Sequence, residues 1–155
     1  RGLVGSEMCI RDRVITANKI DAALIDIDAT IARKTQPRSS FDHSDVLLTD
    51  EPIPEMVELI ETYIFHTNTY PVFLTGRKVV GEEYTRQWIS THTGFKEYKL
   101  FMRGAQDWRP AYAVKKQILR NEILPYYNIK LVFDDEPKNA EMFKKLGLIT
   151  LQVFA

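Results

Sequence analysis

Two aspartates one residue apart, Asp26 and Asp28, follow the apolar run AALI. Carboxylates in that position can attack phosphorus, carry a proton or hold a hard cation. Further along the chain come LTGR (Thr75, Gly76, Arg77), the pair Lys115 and Lys116, and FDDEPKN with Asp134, Asp135 and Asn139. Each piece has an ordinary reading of its own. A strand-end aspartate caps a helix, Thr-Gly makes a turn, a lysine sits on a wet helix face, and DDEP is an acid-rich helix start. Brought together, four carboxylates repel one another and lose water at a cost. A divalent cation with oxygen ligands offsets that cost, and Mg²⁺ takes one or two carboxylates together with a phosphate. The set therefore predicts Mg²⁺, and Mg²⁺ predicts an anionic, phosphorylated substrate.

The elements that must position these residues read as alternating strands and helices. Apolar runs at 22–27, 70–74, 98–102, 129–133 and 149–154 suit strands covered on both faces. Helical spacing is expected over 54–65, 81–92, 110–124 and 137–147, with Pro54 and Pro137 suited to first turns and Gly147 to a C-terminal cap. The expected fold class is α/β, an open, mostly parallel sheet of about five strands with helices on both faces and no large cap domain. Ligands of such sheets bind beyond the carboxyl ends of the strands. The reactive residues fall there, with a lysine from the preceding helical segment able to reach over them.

Residues 31–53 are rich in Ser, Thr, Pro and Asp and read as a long excursion, a flap or binding loop. Residues 1–13 are polar, without a period, and are read as a disordered or non-native segment ahead of a single domain over 14–155.

The chain has 155 residues, 45% apolar and 27% charged, with 21 basic and 21 acidic side chains. That is a globular composition. No apolar run reaches the roughly 20 residues that cross a bilayer, so no membrane partner is expected. A single cysteine excludes an internal disulfide and suits a reducing compartment, so a cytoplasmic location is expected. Zero net charge argues against broad non-specific attraction to nucleic acid, which needs many basic contacts. A local basic rim of Arg33, Arg38, Arg103 and Arg109 remains a candidate substrate contact. Trp88 and Trp108 are read as packing or edge residues, with base stacking also open to Trp108.

DIDATIA, LTGR, the lysine after RPAYAV and LVFDDEPKN resemble the four ordered motifs of the haloacid dehalogenase superfamily of phosphohydrolases. RSSFD (38–42), TRQW (85–88) and the basic residues ahead of the third helix are similar to the 3'-phosphatase domain of bacteriophage-type polynucleotide kinase/phosphatase. The resemblance spans about residues 20–154. It implies that Asp26 is the nucleophile and forms an aspartyl-phosphate, and that Asp28 is the acid and then the base. It further implies that Thr75, Gly76 and Lys115 bind phosphate, and that Asp26, the Asp28 carbonyl, Asp134 and Asp135 hold Mg²⁺. Ala29 stands where the family usually has glycine, and Asn139 carries no assigned role.

Three functions follow as expectations. The first is an Mg²⁺-dependent phosphatase on nucleic-acid or nucleotide 3'-phosphate ends. The second is the same chemistry on a small phosphate ester or 5'-nucleotide. The third, of another class, is a non-catalytic phosphoacceptor or interaction domain. GxxxxGK[ST] is absent, so any kinase activity is expected to lie on a further domain of a longer parent protein.

Overall fold

The computed structural model describes residues 19–38 and 42–155. The expectation for residues 1–13 and the Ser39–Phe41 part of RSSFD lie outside the described residues.

Strand β1 (Ile20–Ile25) sits at the centre of a five-stranded sheet. Around it lie β4 (Tyr70–Lys78), β5 (Lys99–Arg103), β6 (Tyr127–Asp134) and β7 (Thr150–Gln152), in the order β5-β4-β1-β6-β7. Every pairing in this sheet is parallel. The chain builds outward from β1 through β4 to β5, then returns to the other side of β1 for β6 and β7. That reversal places a crevice at the carboxyl end of β1, where open α/β sheets take their ligands.

Side chains of a strand alternate between faces, and the core divides accordingly. Ala22, Leu24, Val72 and Leu74 join one buried cluster with Val114, Ile118, Met142 and Phe143. These last four come from helices α4 (Ala111–Ile118) and α5 (Pro137–Lys145). Ala23, Ile25 and Phe73 join the other cluster with Ile60, Ile64, Trp88 and Ile89. Those four belong to α2 (Pro54–Thr67) and α3 (Glu82–His92). The predicted two-faced cover is present, and Trp88 is a core residue. Small alanines at the middle of β1 let both layers approach the central strand.

Local signals set the helix ends. Pro54 and Pro137 occupy first turns, where a missing N–H costs nothing. Helix α2 closes on Asn68 in the left-handed region (φ 53°), and Gly147 takes φ 80° after α5. The helix predicted over 110–124 is α-helical only to Ile118 and continues as a wider π turn over Leu119–Ile123, which buries Leu119 and Ile123.

The excursion carries regular structure of its own. Strand β2 (Ala32–Lys34) pairs antiparallel with β3 (Asp50–Pro52), and the short helix α1 (Val46–Thr49) leads into β3. The Trp88 indole N–H donates to the Asp50 carbonyl at 3.0 Å and so ties this ribbon to α3. No helix among the described residues is long and apolar enough to cross a membrane.

Candidate active site

The carboxyl end of β1 delivers Asp26 into a buried position. Its backbone N–H still donates to Phe133 O in β6 at 2.9 Å, so the residue continues the strand while its side chain turns to the crevice. Ile27 O then accepts from the N–H groups of Thr30, Ile31 and Ala32, which closes a tight turn. Ala29 lies at φ 59° in that turn. Thr30, fully buried, donates its hydroxyl to Asp26 Oδ2 at 3.0 Å and, at 3.5 Å, to Asp135 Oδ1.

Lys115 reaches over from α4, itself buried. Its Nζ lies 2.8 Å from Asp26 Oδ1 and 2.7 Å from Asp134 Oδ2, bridging carboxylates at the ends of neighbouring strands. Burial alone would lower the lysine pKa; the two carboxylates outweigh it and raise it. The cation is therefore permanent at neutral pH. Burial pushes the Asp26 carboxyl well above the usual carboxylate range, with Lys115 opposing and Asp134 adding to the rise.

Asp134 is held on every side. Besides Lys115 it accepts from the Glu136 N–H at 2.9 Å and from Asn139 Nδ2 at 3.2 and 3.3 Å. Asp135 follows at the mouth of the crevice. Carboxylate oxygens of Asp26, Asp134 and Asp135 lie within 4.8 Å of one another, close enough for one cation. Asn139 Oδ1 is buried beside them without a hydrogen-bond partner. An all-oxygen set with one lysine already compensating suits a hard divalent cation, and the orphaned amide oxygen suits water bound to one.

Asp28 points elsewhere. Its carboxylate accepts from Arg77 Nη2 and Arg38 Nη2, both at 2.8 Å, and stands apart from the acid trio. Both arginines also reach Asp50 Oδ2 at 2.5 Å, so two acids and two bases close a square. Burial opposes ionisation of Asp28, but Arg77 and then Arg38 hold its pKa down at about 2. The raised pKa expected of an acid is therefore not the state of this carboxyl, and the reason is the pair of guanidinia.

Thr75 is fully buried within β4, just before its register with β5 shifts, and its hydroxyl accepts from the Arg77 N–H at 3.1 Å. The neighbouring Gly76 offers its carbonyl to Arg103 Nε at 3.0 Å. Arg103 gives its remaining contacts to the carbonyls of Asp107 and Arg109, and the Arg109 guanidinium pairs with Asp107 at 2.6 Å. These two arginines bind the 104–110 loop together. Arg33 and Arg38 line a cleft of about 460 Å³ together with Asp28.

The structure thus gathers Asp26, Asp134, Asp135 and Lys115, and sets Asp28, Arg38 and Arg77 in an adjoining group. Sequence reasoning gave Asp50 and Asn139 no role and noted Arg77 only as part of LTGR. For Arg77 and Asn139 the signal was their place within strand-end motifs. Asp50 has no local signal, because its partners come from distant segments.

The sheet order and the acid cluster define the class, an α/β domain of the haloacid dehalogenase type. A family model, the polynucleotide kinase PNKP phosphatase domain, matches residues 20–155, and the chain belongs to that family. Among curated proteins it is 34% identical over 130 residues to one described as a bifunctional polynucleotide kinase/RNA ligase, from Autographa californica nuclear polyhedrosis virus. That match covers 84% of this chain and 19% of the relative. Among solved structures, a chain of the Pnkp1/Rnl/Hen1 RNA repair complex superposes with a TM-score of 0.76 at 22% identity, covering 87% of this chain and 42% of the other. A second structure of a Pnkp1/Rnl/Hen1 complex gives a TM-score of 0.75 at 22% identity, covering 87% and 46%. The chain spans about a fifth of the viral relative and under half of each structural neighbour.

Proposed function

We propose that this domain is an Mg²⁺-dependent phosphomonoesterase that removes the 3'-phosphate from nucleic-acid ends through an aspartyl-phosphate on Asp26. The observation that carries the chemistry is the Lys115 ammonium, buried between Asp26 and Asp134 with Asp135 alongside. Phosphoryl transfer is mostly positioning and charge compensation, and these residues supply both.

Asp26 attacks phosphorus, and Lys115 offsets the charge that builds on the phosphoryl oxygens. Thr75 and the Gly76 amide take the non-bridging oxygens. Asp26, Asp134 and Asp135 would hold Mg²⁺, with the Asp28 carbonyl, and the bound ion supplies further charge compensation to the phosphoryl group. Asp28 is the proton carrier. Arg38 and Arg77 hold it ionised; an arriving phosphate competes for those guanidinia, which releases the carboxyl and raises its affinity for a proton. That proton then goes to the leaving 3'-oxygen, and Asp28 takes one back from the water that opens the aspartyl-phosphate.

The 3' assignment draws on the family and on a site that the described residues border with the short β2-β3 ribbon, which leaves room for a strand end. The viral relative's description supports a kinase or ligase domain beside this one on a longer protein, and the single cysteine supports a cytoplasmic location.

The test is phosphate release from a 3'-phosphorylated oligonucleotide, its 5'-phosphorylated counterpart and a 3'-mononucleotide, each with and without Mg²⁺. Fast, Mg²⁺-dependent release from the first alone is expected. Equal rates on all three remove the strand-end reading and keep the phosphatase; full activity of Asp28→Asn removes the proton carrier.

A further inference from the structure

Trp108 is out of place as a packing residue. The residue is 77% exposed, yet the loop that carries it is tied by several side-chain hydrogen bonds. Arg103 gathers the carbonyls of Gly76, Asp107 and Arg109 into one guanidinium. Asp107 accepts from the Arg109 N–H at 3.1 Å and from its side chain, which closes the turn around Trp108 itself. The ring is thus displayed from a loop clamped directly to Gly76, one of the residues proposed to bind phosphate.

Lys78 fixes one face of the indole. Its Nζ lies 3.1 Å from the ring centroid, a cation–π contact. With that face under the ammonium and the residue this exposed, the other face meets solvent. Lys78 also belongs to the wall of a cleft of about 300 Å³, whose charged lining is Lys34, Arg38, Arg77 and Lys78 against the single acid Asp42, with His43 beside them. Arg77 is the residue that touches Asp28. A basic cleft therefore runs from the proton carrier to the rim, and an open aromatic face waits where it ends. Basic groove and aromatic platform together are the recognition chemistry of single-stranded nucleic acid.

We propose that Trp108 stacks on an unpaired base at the 3' end of the substrate strand, while Lys78 and Lys34 take the adjoining phosphodiester. The site rests on the phosphatase reading above only for its purpose, since the platform binds a strand whether or not phosphate is released. Every base has a flat face, so recognition tolerates sequence. A paired base cannot offer that face without leaving its duplex, so single-stranded ends are preferred to blunt duplex ends.

The experiment compares the native chain with Trp108→Ala and Trp108→Phe on three substrates. These are a single-stranded 3'-phosphorylated oligonucleotide, a blunt duplex bearing the same 3'-phosphate, and glycerol 2-phosphate, which has no ring. Trp108→Ala is expected to raise KM for the single strand about tenfold to 100-fold more than for glycerol 2-phosphate, with Phe recovering most of the loss. Binding is read separately from tryptophan fluorescence in the Asp26→Asn chain. Trp88 is fully buried, so quenching by the single strand reports on Trp108. A KM change equal on strand and glycerol 2-phosphate, equal affinity for single strand and duplex, or no quenching overturns the platform. If no substrate releases phosphate, the phosphatase reading fails and the fluorescence titration alone decides this one.

Discussion

Lys115 is central to this site, because its buried ammonium pairs with two buried carboxylates, Asp26 and Asp134. Removing one partner from a buried ion pair leaves an uncompensated charge and costs about 3–5 kcal/mol. Lys115→Met should therefore unfold at markedly lower urea without metal, and added Mg²⁺ should recover part of the loss by meeting the same carboxylates. Denaturation curves with and without Mg²⁺ measure both effects, and a variant as stable as the native chain would show that Asp26 and Asp134 do not need the cation. Asp26→Asn should abolish turnover while preserving the fold, since the amide keeps the shape that Thr30 and Lys115 pack against; single-turnover phosphate release reads it. Ala29 offers the opposite sign. At φ 59° an L side chain is strained by about 1 kcal/mol relative to glycine. Glycine loses more freedom on folding, so Ala29→Gly should stabilise by no more than about 1 kcal/mol, or about 2–4 °C in Tm. A fall in Tm would mean that the strain is relieved by contacts of the Ala29 methyl.

The β2-β3 ribbon is the element whose position depends on the site it borders. Asp50 sits at the start of β3, fully buried by its side chain, and binds Arg38 from the segment after β2 and Arg77 from β4. Asp50→Asn leaves both guanidinia facing one ionised partner, Asp28. Loss of this pairing should cost about 3 kcal/mol and loosen the ribbon before the sheet. Hydrogen exchange at Arg33, Lys34 and Glu51 should speed up while β1 stays protected; uniform exchange would deny the ribbon a separate hold. This element also marks where the sequence stops being readable. The sheet strands were legible because each is an apolar run set between helical patterns, and their carboxyl ends located the acids. The ribbon strands, ARK and DEP, are short and charged, so no local pattern separates them from loop. Their pairing follows from Asp50 meeting Arg38 and Arg77, a contact between distant segments. The π turn after Ile118 was hidden for a different reason, since the same apolar spacing serves an α-helix or a wider turn.

At the scale of the whole domain, two aspartates give the pH dependence of stability opposite slopes. Asp28 has a folded pKa of about 2, below the ordinary value near 3.9, so its contribution is complete above that ordinary value and is lost as pH falls toward 2. Asp26 is raised by burial, so between its ordinary value and its folded one the native state binds more protons than the unfolded chain. Stability of the metal-free domain must then decline as pH rises through that window. The metal-free chain should be most stable near pH 4 to 5, where Asp28 is already ionised and Asp26 still holds a proton. Mg²⁺ changes the second slope alone. It competes with the proton at Asp26, so its affinity grows as pH rises, and at 100 times its dissociation constant it adds about 2.7 kcal/mol. Thermal unfolding at pH 5 and pH 8, each with EDTA and with millimolar Mg²⁺, should give a small shift at pH 5 and a larger one at pH 8. Equal shifts would place the cation away from Asp26, and no shift at either pH would remove it from the acid trio.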